Sequence, residues 1–333
     1  MKKFSAIIPT LLGMIIISSC FTGCRKKESS VKFPMGTFPD SVYNLTSLNS
    51  QYDDYNSNLL YVGDNMTIIF SSNRQSSGGQ FDLVQGSISY KFDQNTGAFT
   101  IGSALTNDPF YSSLISKAVT TGNDFGPYSL SSLTDGYNYL FLASQTGTSP
   151  LDIYYLKYFP PYGTTIPTIT GPIPAKVLNS STDDAYVSFD LNEDSVYFTS
   201  NRGGNFDIYV QKKTSSVTLD TWMSQNSIAS TAIDSINTTS DDKCPFVLRK
   251  YMLFTSNRPG GLGGYDLYYS IFKNGKWGSP VNLGPEVNSS SDEFRPILGY
   301  NADFSNMFII FSSNRPGGQG RFDLYLTSFN NPK

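Results

Sequence analysis

The chain has 333 residues, with 24 Lys and Arg against 27 Asp and Glu, a net charge of −3, and no histidine. The missing imidazole excludes histidine-based acid–base chemistry, histidine-activated nucleophiles and histidine-ligated metals. No basic stripe stands out along the chain, so nucleic acid is not an expected partner.

The first segment, MKKFSAIIPTLLGMIIISSCFTGCRKKESS, is laid out as an export signal: two Lys, an apolar run, then small residues. The apolar run is too short for a membrane span. Its end resembles the lipobox of bacterial lipoproteins, in which a Leu-like residue and two small ones precede a Cys that becomes lipidated. Ile17-Ser18-Ser19-Cys20 fits that pattern, Cys24 after Phe21-Thr22-Gly23 is the alternative, and an ordinary cleaved secretory signal is the plainer reading. The resemblance implies a signal peptide over 1–19, lipidation at Cys20, and a flexible tether over 20–40 in which Pro34 and Pro39 oppose helix. Several acyl chains would hold the domain firmly, so the membrane is met through the N-terminal lipid only. The implied location is the cell envelope, at the outer membrane, on either its periplasmic or its surface side.

From residue 41 onward, aromatics reach a high density: 14% of the whole chain is Phe, Trp or Tyr, and only 15% is charged. Short runs of Tyr, Phe, Ile and Leu between Gly, Asn, Ser and Asp predict β structure. One pattern then recurs in chain order: TIIFSSNRQSSGGQFDLVQG, YLFLASQTGTSPLDIYYLK, VYFTSNRGGNFDIYVQ, YMLFTSNRPGGLGGYDLYYS and FIIFSSNRPGGQGRFDLYLTS. Each copy holds an apolar strand, a turn opened by Ser-Asn-Arg, a tip usually rich in Gly, and a step of an apolar, mostly aromatic residue, Asp and an apolar residue into a second strand. The step aspartates are Asp82, Asp152, Asp207, Asp266 and Asp323. The Asn-Arg pairs are Asn73-Arg74, Asn201-Arg202, Asn257-Arg258 and Asn314-Arg315; the second unit has lost both. Five all-β units of about 60 residues predict a five-bladed β-propeller.

A polar phrase precedes each unit, as in NSSTDDA, NTTSDDK and NSSSDEF, and reads as the connector from one blade's rim to the next blade's inner strand. The step Asp is expected to accept hydrogen bonds from the turn's backbone or from the Ser-Asn-Arg group. The last unit stops ten residues after Asp323, with no rim strand, whereas SVYNLTSLNSQYDDY near the start parallels SPVNLGPEVNSSSDEF. Residues 41–47 are therefore expected to complete the last blade and remove an exposed sheet edge. The blade cores fall at about 55–105, 125–178, 185–236, 243–287 and 294–329 within a propeller over 41–333.

The copies SNRPGGLGGYDLYYS and SNRPGGQGRFDLYLTS resemble the WD-like propeller repeat of TolB-type proteins, found in many Bacteroidetes-like envelope proteins. The resemblance covers roughly residues 41–333 and is weakest in the second unit. It implies a non-catalytic, lipid-anchored module that binds or scaffolds an envelope protein partner, not an enzyme. The alternative is a glycan-binding or glycan-cleaving propeller that uses unique carboxylates in the central funnel, about 5–9 Å apart if catalytic.

The repeated Asn, Arg and Asp residues read as structural, because a single active centre needs residues that are not repeated. The unique acids Asp108, Asp135, Asp190, Glu193, Asp194, Asp220 and Asp234 mostly sit in turn-like contexts. No phosphate or dinucleotide motif occurs, the connector acids lack the alternating spacing of a calcium loop, and neither cofactor nor metal is expected. Cys244, before an apolar run, reads as a buried, inert thiol. Two irregular segments, 100–123 and 158–175, carry aromatics outside the repeat; Tyr111, Tyr158, Phe159 and Tyr162 are the expected partner surface.

Overall fold

The computed structural model describes residues 31–330 apart from 61, 161–164 and 214–216. The lipidation sites Cys20 and Cys24, and Tyr162, therefore lie outside the described residues.

In chain order, β1 (Tyr43–Asn44) precedes a first blade of β2 (Asp54–Leu59), β3 (Asn65–Ser72), β4 (Asp82–Phe92) and β5 (Phe99–Leu105). Helix α1 (Pro109–Ala118) leads to the second blade: β6 (Asn123–Ser131), β7 (Asn138–Gln145), β8 (Asp152–Tyr158) and β9 (Thr170–Pro174). The third holds β10 (Asp184–Phe189), β11 (Ser195–Ser200) and β12 (Asp207–Lys212), then α2 (Leu219–Met223) and β13 (Thr231–Ala232). The fourth comprises β14 (Asp242–Leu248), β15 (Tyr251–Ser256), β16 (Asp266–Lys273), β17 (Lys276–Trp277) and β18 (Val281–Asn282). The fifth runs β19 (Glu293–Gly299), β20 (Met307–Ser313) and β21 (Asp323–Phe329), and β1 is its outer strand. The protein is a five-bladed β-propeller.

Closure follows the expected register. Tyr43 stands opposite Leu326 and Asn44 opposite Tyr325, antiparallel. The expected flexible tether over 20–40 needs correction at its end, because residues 33–40 are packed. Gly36 pairs with Asp303 and Phe304 in a short parallel bridge. Phe38 is fully buried, with its ring 4.0 Å from Phe304 and edge-on to Tyr90 and Phe99. Phe38 is an apolar anchor that proline spacing does not reveal.

Strands apolar on both faces are expected where each sheet lies between two others, and β11, β15 and β20 are buried at every position. Side chains alternate between the two interfaces. Ile68 and Phe70 join Phe308 and Ile310 between blades five and one, while Ile69 joins Leu140 and Leu142 between blades one and two. Three further apolar clusters fill the remaining interfaces, so each pair of neighbouring blades has its own core.

The segment 100–123 is ordered structure: β5 and then α1, with Pro109 in its first turn and Asp108 accepting the Phe110 and Tyr111 N–H groups. Phe110, Leu114 and Ala118 recur every fourth residue and face the first two blades.

Candidate functional site: an aromatic funnel on the propeller axis

The Ser-Asn-Arg turns and the connectors share one end of the ring, and their polar residues form a repeated latch. In the third blade, Arg202 Nε donates to Ser200 Oγ at 2.8 Å, and its Nη2 donates to the Leu178 carbonyl and to Asp184 Oδ1 at 2.6 Å. Asp184 is fully buried and also accepts the Ser180 N–H and O–H. Arg74 with Asp54, Arg258 with Asp242 and Arg315 with Glu293 repeat the pairing. The arginines thus bind the second connector acid, and the step aspartates do other work. Asp266 accepts the Leu262 and Gly263 N–H groups and the Asn282 amide, while Asp323 accepts those of Gln319, Gly320 and Asn44. Asp82 and Asp207 accept from Gln80 and Asn205, and burial raises the pKa of both, as it does for Asp152.

The first connector acid reaches back to the preceding blade. Asp53 accepts the Phe322 N–H, Asp183 that of Leu151, Asp241 that of Phe206 and Asp292 that of Tyr265; Asn123 serves Phe81 in the same way. Asn73, Asn201, Asn257 and Asn314 each accept the N–H of the first acid in their own unit. The repeated Asn, Arg and step Asp side chains are therefore engaged in fastening each turn and connector, and the first connector acids in holding blade to blade.

These latches hold the residue before each step Asp and the residue after each acid pair around the axis. All but Phe125 and Tyr265, which pack behind their neighbours, line a cavity of about 330 Å³. Seven of the positions are aromatic. Tyr55 packs on Phe81 at 5.1 Å, Phe81 on Phe125 at 5.2 Å, and Tyr55 stacks on Phe322 at 5.8 Å. The arc continues from Phe322 to Phe294 at 5.7 Å and from Phe294 to Tyr265 at 4.6 Å. Lys243 then lies 4.5 Å from the Tyr265 ring and 4.7 Å from that of Phe206, which closes the arc with cation–π contacts. Leu151 and Ala185, at the equivalent places in blades two and three, open a slot whose floor is Tyr186.

Asp53, Lys243 and Arg321 are the charged residues lining the cavity. Burial opposes ionisation of Asp241, but the Tyr265 hydroxyl, the Phe206 N–H and Lys243 together hold its carboxyl below the usual range. Tyr55 and Tyr265 are pushed well above an ordinary phenol, first by burial. They are neutral hydrogen-bonding and stacking groups at physiological pH.

Beneath the rim, the five inner strands bulge at equivalent places, shifting register after Tyr55, Phe125, Ala185, Lys243 and Phe294. Each bulge turns a left-handed residue toward its neighbours on the axis: Asn56, Gly126, Tyr186, Cys244 and Arg295. Glycine is required at 126, where a Cβ would lie 2.4 Å from the Tyr186 ring. Cys244 is buried and unpaired with another cysteine, and burial pushes its thiol up to about 11.

The unique acids lie away from the funnel. Asp108 caps α1, Asp135 accepts the Tyr139 hydroxyl, and Asp220 holds Tyr155 and Lys157. Glu193, fully buried, accepts the Ser132 hydroxyl and the Leu133 N–H from the neighbouring blade. Of the expected surface aromatics, Tyr158 is buried in the sheet beside Phe110, Tyr111 sits on α1, and Phe159 is exposed and stacked on Tyr137 at 4.0 Å. The funnel aromatics went unsingled in the sequence because each occupies a repeat position that reads as strand filler. Their signal is positional: the residue before the step Asp, and the residue after the acid pair. Among the described residues, no group of three or more Cys, Asp or Glu side chains converges as a metal site would.

No protein-family model matches the sequence, and no curated protein matches it. Solved structures do match the fold. The endo-arabinase from Bacteroides thetaiotaomicron aligns over 90% of this chain and 98% of its own, with a TM-score of 0.52 and 12% identity. The alpha-L-arabinofuranosidase from Lactobacillus brevis aligns over 88% and 94%, at 0.51 and 11%. An exo-1,5-alpha-L-arabinanase from a bovine ruminal metagenomic library aligns over 84% and 94%, at 0.50 and 12%.

These findings correct the expectation drawn from the repeat. The three propellers named are arabinan- and arabinoside-cleaving enzymes, not TolB-type WD-like proteins, so the TolB-type resemblance and the non-catalytic scaffold it implied are withdrawn. The physical reason lies in the latch. The Ser-Asn-Arg and Asp pattern encodes how a blade turn is fastened, and a fastening says nothing about what the ring binds.

Proposed function

We propose that the chain acts on a glycan, which it engages at the aromatic funnel. The observation that carries this reading is the arc of Tyr55, Phe81, Phe125, Phe294 and Phe322, continued by Tyr265 and Phe206, around one axial cavity. Flat rings offer apolar faces for the C–H face of a sugar, and the rim charges of Asp53, Lys243 and Arg321 supply hydrogen bonds to its hydroxyls. The matched arabinases and arabinofuranosidase make pentose polymers the first ligands to try. Titration calorimetry with arabino- and xylo-oligosaccharides tests it. Saturable binding is expected, and Phe322→Ala should weaken it about five- to thirtyfold, the equivalent of losing roughly 1–2 kcal/mol of apolar contact. Failure of every neutral or acidic oligosaccharide tried to bind would refute the reading.

A second reading, cleavage at the same funnel, is favoured by Asp53, whose carboxylate lines the cavity. Glycoside hydrolysis uses two carboxyl groups. Asp183, Asp241 and Asp292 hold the places equivalent to Asp53 in the other connectors, and the second carboxyl would come from among them. Release of reducing ends that Asp53→Asn abolishes while binding persists would support it.

The export signal and lipobox favour an envelope location with the ring tethered by lipid. Metabolic labelling with a fatty acid, lost in Cys20→Ala or in Cys24→Ala, tests that placement.

A further inference from the structure

Arg295 stands out among the axial residues because its charge has no counterpart. It is fully buried. The four arginines of the turns each face a carboxylate, whereas Arg295 forms no ion pair among the described residues. Its Nη2 donates to the Pro127 carbonyl at 3.2 Å, and its guanidinium lies over the Tyr186 ring at 5.3 Å. Its backbone N–H is taken by Thr255 Oγ1. Nε and Nη1, both buried, donate to no protein group among the described residues.

The groups that feel this charge most are Cys244, Tyr186 and Tyr128. None of them balances it: burial holds the thiol protonated, and burial holds both phenols protonated. A cation confined to the protein interior without an anion is strongly unfavourable, and unused guanidinium donors add to the cost. An arginine fork with two buried, unused donors suits a small anion.

We propose that a small monovalent anion, a halide or a carboxylate the size of formate, binds Nε and Nη1 of Arg295 on the propeller axis beneath the funnel floor. Size is set by the enclosure. Tyr186 lies across Gly126 and touches Asn56, whose Nδ2 is 3.4 Å from the Tyr186 hydroxyl, so it stands between the funnel and the axial residues. Asn56 Oδ1, also buried without a protein partner, is an acceptor and pairs with a donor such as water, so the anion belongs on the Arg295 side. This site is independent of the glycan reading, because nothing that enters the funnel needs to reach it.

Thermal unfolding of the whole protein tests it, with chloride or formate substituted for gluconate at constant ionic strength. The melting temperature is expected to rise saturably, by roughly 2 °C for a tenfold excess over the dissociation constant, in whichever small anion binds. The rise should vanish in Arg295→Met. Should that variant fail to fold, crystals of the wild-type protein grown with bromide decide the matter through an anomalous peak in contact with Nε or Nη1. Equal melting temperatures in chloride, formate and gluconate would overturn the proposal. So would a rise that persists in Arg295→Met, or bromide crystals with no peak at the guanidinium.

Discussion

Arg74, Arg202, Arg258 and Arg315 each neutralise a buried acid, and the second unit shows what their absence does. There Thr146 occupies the arginine's place, and Asp124 is buried with hydrogen bonds from Thr120 and Ser144 and the like charge of Asp82 acting on it. Burial, only partly offset by those hydrogen bonds, pushes its carboxyl up to about 6. A carboxyl that binds its proton more tightly folded than unfolded favours the fold at low pH and loses that advantage as pH rises from about 4 to 6. Thr146→Arg should therefore stabilise the protein at pH 7.5 by about 1–3 kcal/mol and much less at pH 4, read as the difference in melting temperature from wild type. Conversely, Arg202→Met leaves Asp184 buried and unpaired, and should cost about 3–5 kcal/mol in denaturant unfolding at pH 7. Recurrence alone identified these side chains as structural. Which acid each arginine would choose was not legible, because Ser72 registers with Asp82 on one side and with Asp54 on the other. The axial residues were hidden for another reason. Asn, Gly, Tyr, Cys and Arg share no chemistry, only a place two residues beyond the second acid, followed by Pro in Gly126-Pro127, Cys244-Pro245 and Arg295-Pro296.

At the scale of elements, each strand hairpin was readable from its apolar run and Gly-rich tip, and the N-terminal strand from its likeness to a connector. Helix α1 was not singled out, although Phe110, Leu114 and Ala118 have helical spacing after an Asp-Pro start. Ten residues between strands of a repeat read more readily as a loop. Asp108→Ala should cost about 1 kcal/mol by removing the cap, seen as a small drop in melting temperature. The N-terminal segment carries more weight. Phe38→Ala empties a site between Tyr90, Phe99, Phe304 and Phe308, and should cost about 3–5 kcal/mol in denaturant unfolding. In the Pro/Thr-rich segment 158–175, β9 forms the outer strand of the second blade, where Pro172 and Pro174 are tolerated because no further strand asks for their N–H groups.

At the scale of the whole molecule, five equivalent connectors, four of them latched by an arginine, build two unlike layers: a rim that is aromatic over most of its circumference, and a polar axis beneath it. The number of blades and the seam were legible because they follow from repetition and from a missing strand. The funnel was not, because it exists only when residues about 60 positions apart are brought round to one point. The slot beside Ala185 and Leu151 should govern access. Leu151→Trp is expected to block ligand binding in calorimetry while changing the melting temperature little, since Leu151 lines the cavity and is only half-buried.

The seam also orders events in time. Asn44 meets Asp323, 279 positions further along the chain, so β1 has no strand to pair with until the fifth blade has been made. A nascent or clipped polypeptide lacking that blade would present Phe38 and an unpaired sheet border to proteases and to other copies of itself. Arrival of the fifth blade, and not the onset of folding, is what covers that border.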